Sequence, residues 1–192
     1  MTEPEQIPVP DQGQAAEQRQ IRPIILVGPP SSGKTTVGRR LAELLDAEFI
    51  DVDEVIEYRT GKLIGEIFAG DGEAAFRKLE AETTIEVLDD SERQQRPRVI
   101  SLGGGAVTSE RIRQALASQR VVWLRVGIAA AAKRIGLNTA RPLLLGNVRG
   151  QLIKLMRERE PMYAEVATIS LTTDSLEPDE LVQLIIDQLA AG

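Results

Sequence analysis

Ile24-Ile25-Leu26-Val27-Gly28-Pro29-Pro30-Ser31-Ser32-Gly33-Lys34-Thr35-Thr36 is the stretch on which the fold turns. Four consecutive apolar residues read as a strand covered on both faces, since such a strand needs no polar alternation. Gly28 to Thr35 then match G-x-x-x-x-G-K-[ST] in full. Behind the loop, Val37, Leu41, Leu44 and Leu45 recur at helical spacing. A loop between a strand and a helix can curl so that successive backbone N–H groups point inward, while the helix adds its positive end. That geometry suits a nucleotide phosphate. Lys34 is expected to reach the β- and γ-phosphates and the Thr35 hydroxyl to ligate Mg²⁺. Pro30, Ser31, Ser32, Gly33 and Thr36 complete the expected nucleotide-binding loop.

Working outward, Glu48 to Asp51, Val99 to Leu102, Val121 to Leu124 and Thr168 to Leu171 read as four more short strands. Helical patterns separate them: near Glu54 to Tyr58, Glu73 to Leu88, Ser109 to Leu116, Ala129 to Ile135, Gln151 to Glu160 and Asp179 to Leu189. Apolar strands alternating with helices imply a parallel sheet covered on both sides. The expected fold is therefore an α/β three-layer sandwich on a five-stranded parallel sheet. Residues 1–22 are Gln- and Pro-rich with little to bury, and are expected to form a disordered tail before a single domain over 23–192. Within it, Gly136 to Gly150 reads as a lid.

Composition narrows the chemistry. The 192 residues hold no cysteine and no histidine. Disulfides, thiolate nucleophiles, Cys/His zinc sites and a histidine base are thereby excluded. With Lys+Arg 23 against Asp+Glu 29, the net charge is −6, and a domain-wide basic field for nucleic acid is missing. No apolar run approaches the ~18 residues of a membrane span, and no signal-peptide pattern opens the chain. A cytoplasmic monomer without nucleic-acid or membrane partners is expected.

Several residues qualify to handle a phosphate acceptor. Asp51 and Asp53 are expected at the carboxyl end of the second strand with both carboxylates on one side. One would hold Mg²⁺ and the other a substrate hydroxyl, unless one of them caps the next helix. Gly103-Gly104-Gly105 permits positive φ and close approach of a ligand to the backbone, or is simply a flexible turn. Arg77 is expected on a helix face turned to solvent, and Arg159 near a helix end before Pro161. Arg141, ahead of Pro142-Leu143-Leu144, is placed on the lid. Each arginine alone reads more readily as surface charge than as a site residue.

Taken together, GPPSSGKT, FIDVDEVIE, GDGEAAFRKLE, SLGGGAV, NTARPLL and REREPMY, in this order, resemble shikimate kinase. The resemblance covers the chain from about Ile24 onward. It implies transfer of the γ-phosphate of ATP to the 3-hydroxyl of shikimate, on the pathway to chorismate and the aromatic amino acids. By analogy Asp53 binds the ring hydroxyls, and Arg77 and Arg159 clamp the substrate carboxylate. Gly103, Gly104 and Gly105 line the substrate pocket, and Asp51 assists Mg²⁺ beside Thr35. Arg141 closes onto the transferring phosphate, Arg134 lies over the adenine, and Pro178 belongs to the adenine-contact loop. The implied catalytic set is Lys34, Asp53 and Arg141. Ser31 departs from the glycine that the family often carries there, and the tail is longer than the family needs. A gluconate or nucleoside monophosphate kinase of the same fold, or a non-catalytic nucleotide-binding protein, are the competing readings.

Overall fold

The structure, a computed structural model, describes residues 22–93, 96–138 and 148–191. The tail and the central part of the expected lid, Arg141 included, lie outside the described residues. Five strands form one parallel sheet: β1 (Ile24–Val27), β2 (Glu48–Asp51), β3 (Arg98–Ser101), β4 (Arg120–Arg125) and β5 (Ile169–Thr172), in the order β2-β3-β1-β4-β5. Ile24 pairs with Val99 on one side and Arg120 on the other, so β1 sits at the centre. From β1 the chain crosses to β2 on one flank, and from β3 it crosses to β4 on the other. This switch opens a crevice at the carboxyl ends of β1 and β3.

Alternation along the strands divides the core in two. Ile25 and Val27 pack with Val52, Ile56, Phe76, Leu88, Ile112 and Tyr163. These come from α2 (Val52–Thr60), α4 (Gly72–Arg93), α5 (Glu110–Leu116) and α7 (Val148–Val166). Ile24 and Leu26 face the opposite way, onto Val37 and Leu41 of α1 (Lys34–Leu44) and Leu181 and Ile185 of α8 (Pro178–Ala191). Each such residue, fully buried, contributes about 1.5–3 kcal/mol. The short α6 (Ile128–Asn138) meets α7 through Ala131 and Leu152. Among the described residues no helix is long and apolar enough to cross a membrane.

Two elements differ from expectation. The helix α3 (Ile64–Gly70) was not foreseen, because seven residues are too few to show a period. It is fixed locally: the Glu66 carboxylate accepts from the Leu63 N–H at 2.8 Å, closing its first turn. The expected stop before Pro161 is also wrong. α7 runs through that proline to Val166, and the buried Tyr163 and Val166 hold its last turns against the sheet. Tertiary packing there outweighs the backbone hydrogen bond that Pro161 cannot make.

At the amino end of the sheet, far from the crevice, the buried Arg98 bonds Glu48 of β2 at 2.8 Å and Asp90 of α4 at 2.7 Å. Its partners are half-exposed, so deleting the arginine leaves no carboxylate stranded in the core. Arg98→Ala is expected to lower stability by about 1–3 kcal/mol in urea unfolding, without changing kcat.

Candidate active site

Gly33 opens α1 with φ 92°, and no side chain caps the helix. The first N–H groups of the helix therefore face the loop Gly28–Gly33 rather than a capping oxygen. Ser31 also takes a left-handed backbone, φ 64°, where glycine would sit without strain. Lys34 Nζ rests on the carbonyls of Gly28 (2.9 Å) and Pro29 (3.1 Å). Burial lowers its pKa to about 8, against the opposing pull of Asp53 and Asp51. An ammonium held over its own loop in this way is poised to exchange carbonyl oxygens for phosphate oxygens.

The two aspartates do not share a face through strand alternation, as the sequence suggested. β2 ends at Asp51, and Asp53 already lies in the first turn of α2. Asp51 caps that helix by accepting the Asp53 N–H at 3.1 Å, and its other oxygen accepts the Thr35 hydroxyl at 3.0 Å. Capping and site-building are thus one task here, not alternatives. Asp53 Oδ1 is buried without a partner. Burial, then Asp51 and Glu80, raise the Asp53 pKa to about 6, with Lys34 acting in the opposite sense.

The glycines after β3 do not supply the positive φ that was expected of them: none of Gly103, Gly104 and Gly105 has one. Each instead gives room to a specific neighbour. A Cβ on Gly103 would lie 2.7 Å from Asp53 Oδ1 and overlap the Glu80 carboxylate. On Gly104 it would lie 2.9 Å from Cδ of Pro30, in the phosphate loop. On Gly105 it would overlap the guanidinium of Arg77.

Arg77 is likewise not turned to solvent. Its guanidinium donates to Glu80 at 2.6 Å and lies over the rings of Phe76 (5.3 Å) and Phe68 (5.9 Å). Phe68 belongs to the unforeseen α3, which is why periodicity of α4 alone misplaced this residue. Glu80, buried beneath Arg77, was not singled out from the sequence. Burial raises its pKa against Arg77, and the charge of Arg159 reaches it as well. The i,i+3 spacing of Arg77 and Glu80 was the available signal. Arg159, from α7, donates to the Gly104 carbonyl at 2.9 Å. Lys34, Asp53, Arg77, Arg159 and the three glycines therefore converge on one crevice.

A second group lies across the phosphate loop. Ser31, Ser32, Gly33, Thr36, Arg134 and Pro178 line a cavity of about 460 Å³ together with Thr173 and Leu176. Arg134 donates to the Ser31 carbonyl (3.1 Å) and to the Thr173 hydroxyl (3.0 Å) and carbonyl (2.6 Å). It ties the phosphate loop to the segment after β5, and Thr173 is a further residue that the sequence did not flag. Pro178 is the first residue of α8 rather than part of a loop, a position that suits its fixed φ.

The sequence profile of the shikimate kinases matches residues 30–190. The chain belongs to the shikimate kinase family. Shikimate kinase from Thermobifida fusca (strain YX) is 50% identical over 172 residues, 89% of this chain and 97% of that one. The enzyme from Saccharopolyspora erythraea is 49% identical over 168 residues, 87% of this chain and 93% of that one. Among solved structures, shikimate kinase from Acinetobacter baumannii in complex with shikimate superposes with a TM-score of 0.79 at 36% identity, covering 89% and 94% of the two chains. The family relation spans both halves of the core and both groups of residues around the phosphate loop.

Proposed function

We propose that this chain transfers the γ-phosphate of ATP to the 3-hydroxyl of shikimate, giving shikimate 3-phosphate and ADP. One observation carries the reading beyond family membership. A phosphate loop and two arginines suited to a carboxylate meet across the contact of Gly104 with Pro30. A gluconate or nucleotide acceptor gives no reason for a glycine loop shaped around Asp53, Pro30 and Arg77 at once.

The cavity beside Arg134 takes the nucleoside, and the loop Gly28–Gly33 takes its phosphates. Lys34 leaves the carbonyls of Gly28 and Pro29 to pair with the β- and γ-phosphates. Thr35 and Asp51 form a hard oxygen pair that fits Mg²⁺. Bound there with ATP, the ion supplies positive charge beside the phosphate oxygens. Asp53 Oδ1, lacking a partner of its own, accepts from the ring hydroxyls and aims the attacking one. Arg77 and Arg159 take the carboxylate at the other end of the ring through guanidinium forks. Arg141, on the strength of the resemblance, brings a further positive charge from the lid. In-line transfer is then driven mainly by positioning and by charge stabilisation on the phosphoryl oxygens.

The direct test is ADP release at fixed Mg-ATP with and without shikimate, compared with gluconate and nucleoside monophosphates. Release stimulated by shikimate alone is the expected result, and stimulation only by another acceptor refutes the reading. Within the site, Arg77→Ala is expected to raise the KM for shikimate about 100-fold. ADP affinity, measured by titration calorimetry, should be nearly unchanged. An unaltered KM and kcat would remove Arg77 from the carboxylate clamp.

A further inference from the structure

Tyr163 is 2% exposed and stacks on Trp123 of β4, with ring centroids 5.6 Å apart and planes inclined by 24°. Phenylalanine would fill this place in the core equally well. A buried hydroxyl is costly unless it is bonded, so its presence calls for a reason. Its partner is the Gly104 carbonyl, to which it donates at 2.5 Å. The same oxygen accepts from Arg159 Nη1, so both of its lone pairs are engaged. Gly104 in turn abuts Pro30 of the phosphate loop, closely enough to exclude a Cβ.

We infer that Tyr163 is a positioning residue for phosphoryl transfer, its hydroxyl fixing the Gly104 carbonyl so that the acceptor loop keeps its distance from the phosphate loop. Two consequences follow from that carbonyl. With Gly104 anchored, the backbone between Asp53 and Pro30 cannot drift, and the distance from attacking oxygen to phosphorus is held. Arg159, with one N–H pinned beside Tyr163, keeps its remaining donors aimed at the substrate carboxylate. Tyr163 acts through Gly104 and Arg159 rather than on the reacting atoms. Burial also pushes its pKa up to about 12, so the phenol stays a donor throughout the working pH range.

The inference rests on the proposed transfer to shikimate, and the parent chain tests that separately by its own shikimate-dependent ADP release. Given an active parent, Tyr163→Phe removes one oxygen and leaves the packing. It is expected to lower kcat, counted per ADP-binding site, about 10- to 100-fold, because a misplacement of about 1 Å costs that much. ADP affinity is expected to stay within about twofold, with cooperative unfolding retained. A kcat per site within about threefold of the parent, or ADP affinity lost in step with turnover, overturns the inference.

A second measurement needs no substitution in the chain. The protein contains two tyrosines, and the other, Tyr58, is 88% exposed. Labelled with 3-fluorotyrosine, it gives one buried and one solvated ¹⁹F resonance. Shikimate is expected to shift the buried resonance and leave the other in place. A buried resonance that ignores saturating shikimate overturns the inference, whether or not the phenylalanine variant folds.

Discussion

Replacing Lys34 with alanine is expected to lower kcat by about three orders of magnitude while leaving the chain folded. In the proposed transfer, Lys34 is the charge of the phosphate loop that follows the negative charge onto the β-γ bridge. In the free site that charge is supported by two backbone carbonyls and by the carboxylates of Asp53 and Asp51, while burial disfavours it. A further partner in that transfer, the phosphate, arrives with the nucleotide, so the contribution of Lys34 is expected mainly in the reaction rather than in folding. The expected signature is therefore kinetic: turnover collapses, ADP affinity weakens modestly, and the unfolding midpoint holds or rises. Coupled ADP-release kinetics and thermal unfolding measure the two sides. Near-normal turnover would remove Lys34 from the transfer step.

Asp53→Asn is expected to cost about 10²- to 10⁴-fold in kcat, the range associated with a positioned acid-base group. Asparagine keeps the shape but presents no negative oxygen to the attacking hydroxyl. ADP affinity should survive, since the helix cap and the Thr35 contact both belong to Asp51. If ADP binding fails while turnover persists, Asp53 serves the metal side instead. The pH dependence has a definite sign. The folded-state pKa, about 6, lies above the ordinary value of 3.8. Between those values the folded chain holds a proton that the unfolded chain has released, so stability declines as pH rises through the window. At pH 8 the substitution is accordingly expected to raise the unfolding temperature, and the gain should vanish in acid. The wild-type kcat/KM for shikimate is expected to fall below pH ~6, as the acceptor carboxylate is neutralised. An activity loss paired with a stability gain marks a residue retained for chemistry.

The layout of the fold was legible because its signals are local. Apolar strand runs and helical spacing need only a few neighbours in sequence, and a loop that binds phosphate through its backbone has a strict residue pattern. What escaped the sequence depends on contacts between distant segments. Arg77 looked solvent-facing until α3 supplied Phe68 and β3 led into Gly105. Glu80 looked like one more charge on a helix until it was buried beneath that arginine. The three glycines were recognised, but the positive φ expected of them is absent, and the need for space beside Asp53, Pro30 and Arg77 arises from distant segments. Pro161 misled because a local rule was overridden by the burial of Tyr163 and Val166.

The two-sided packing of β1 carries a consequence for how such an enzyme can change. Residues of one parity, Ile24 and Leu26, support α1 and α8, which flank the cavity proposed for the nucleoside. Residues of the other parity, Ile25 and Val27, support α2, α4 and α7, which carry Asp53, Arg77 and Arg159. A single strand thus underlies two nearly separate foundations. Substitutions on the acceptor side that spare the Asp51–Thr35 and Gly104–Pro30 contacts are therefore expected to change the acceptor KM more than the affinity for ADP. Directed evolution toward a new hydroxyl acceptor should accordingly begin on the Ile25 side and leave those two contacts in place.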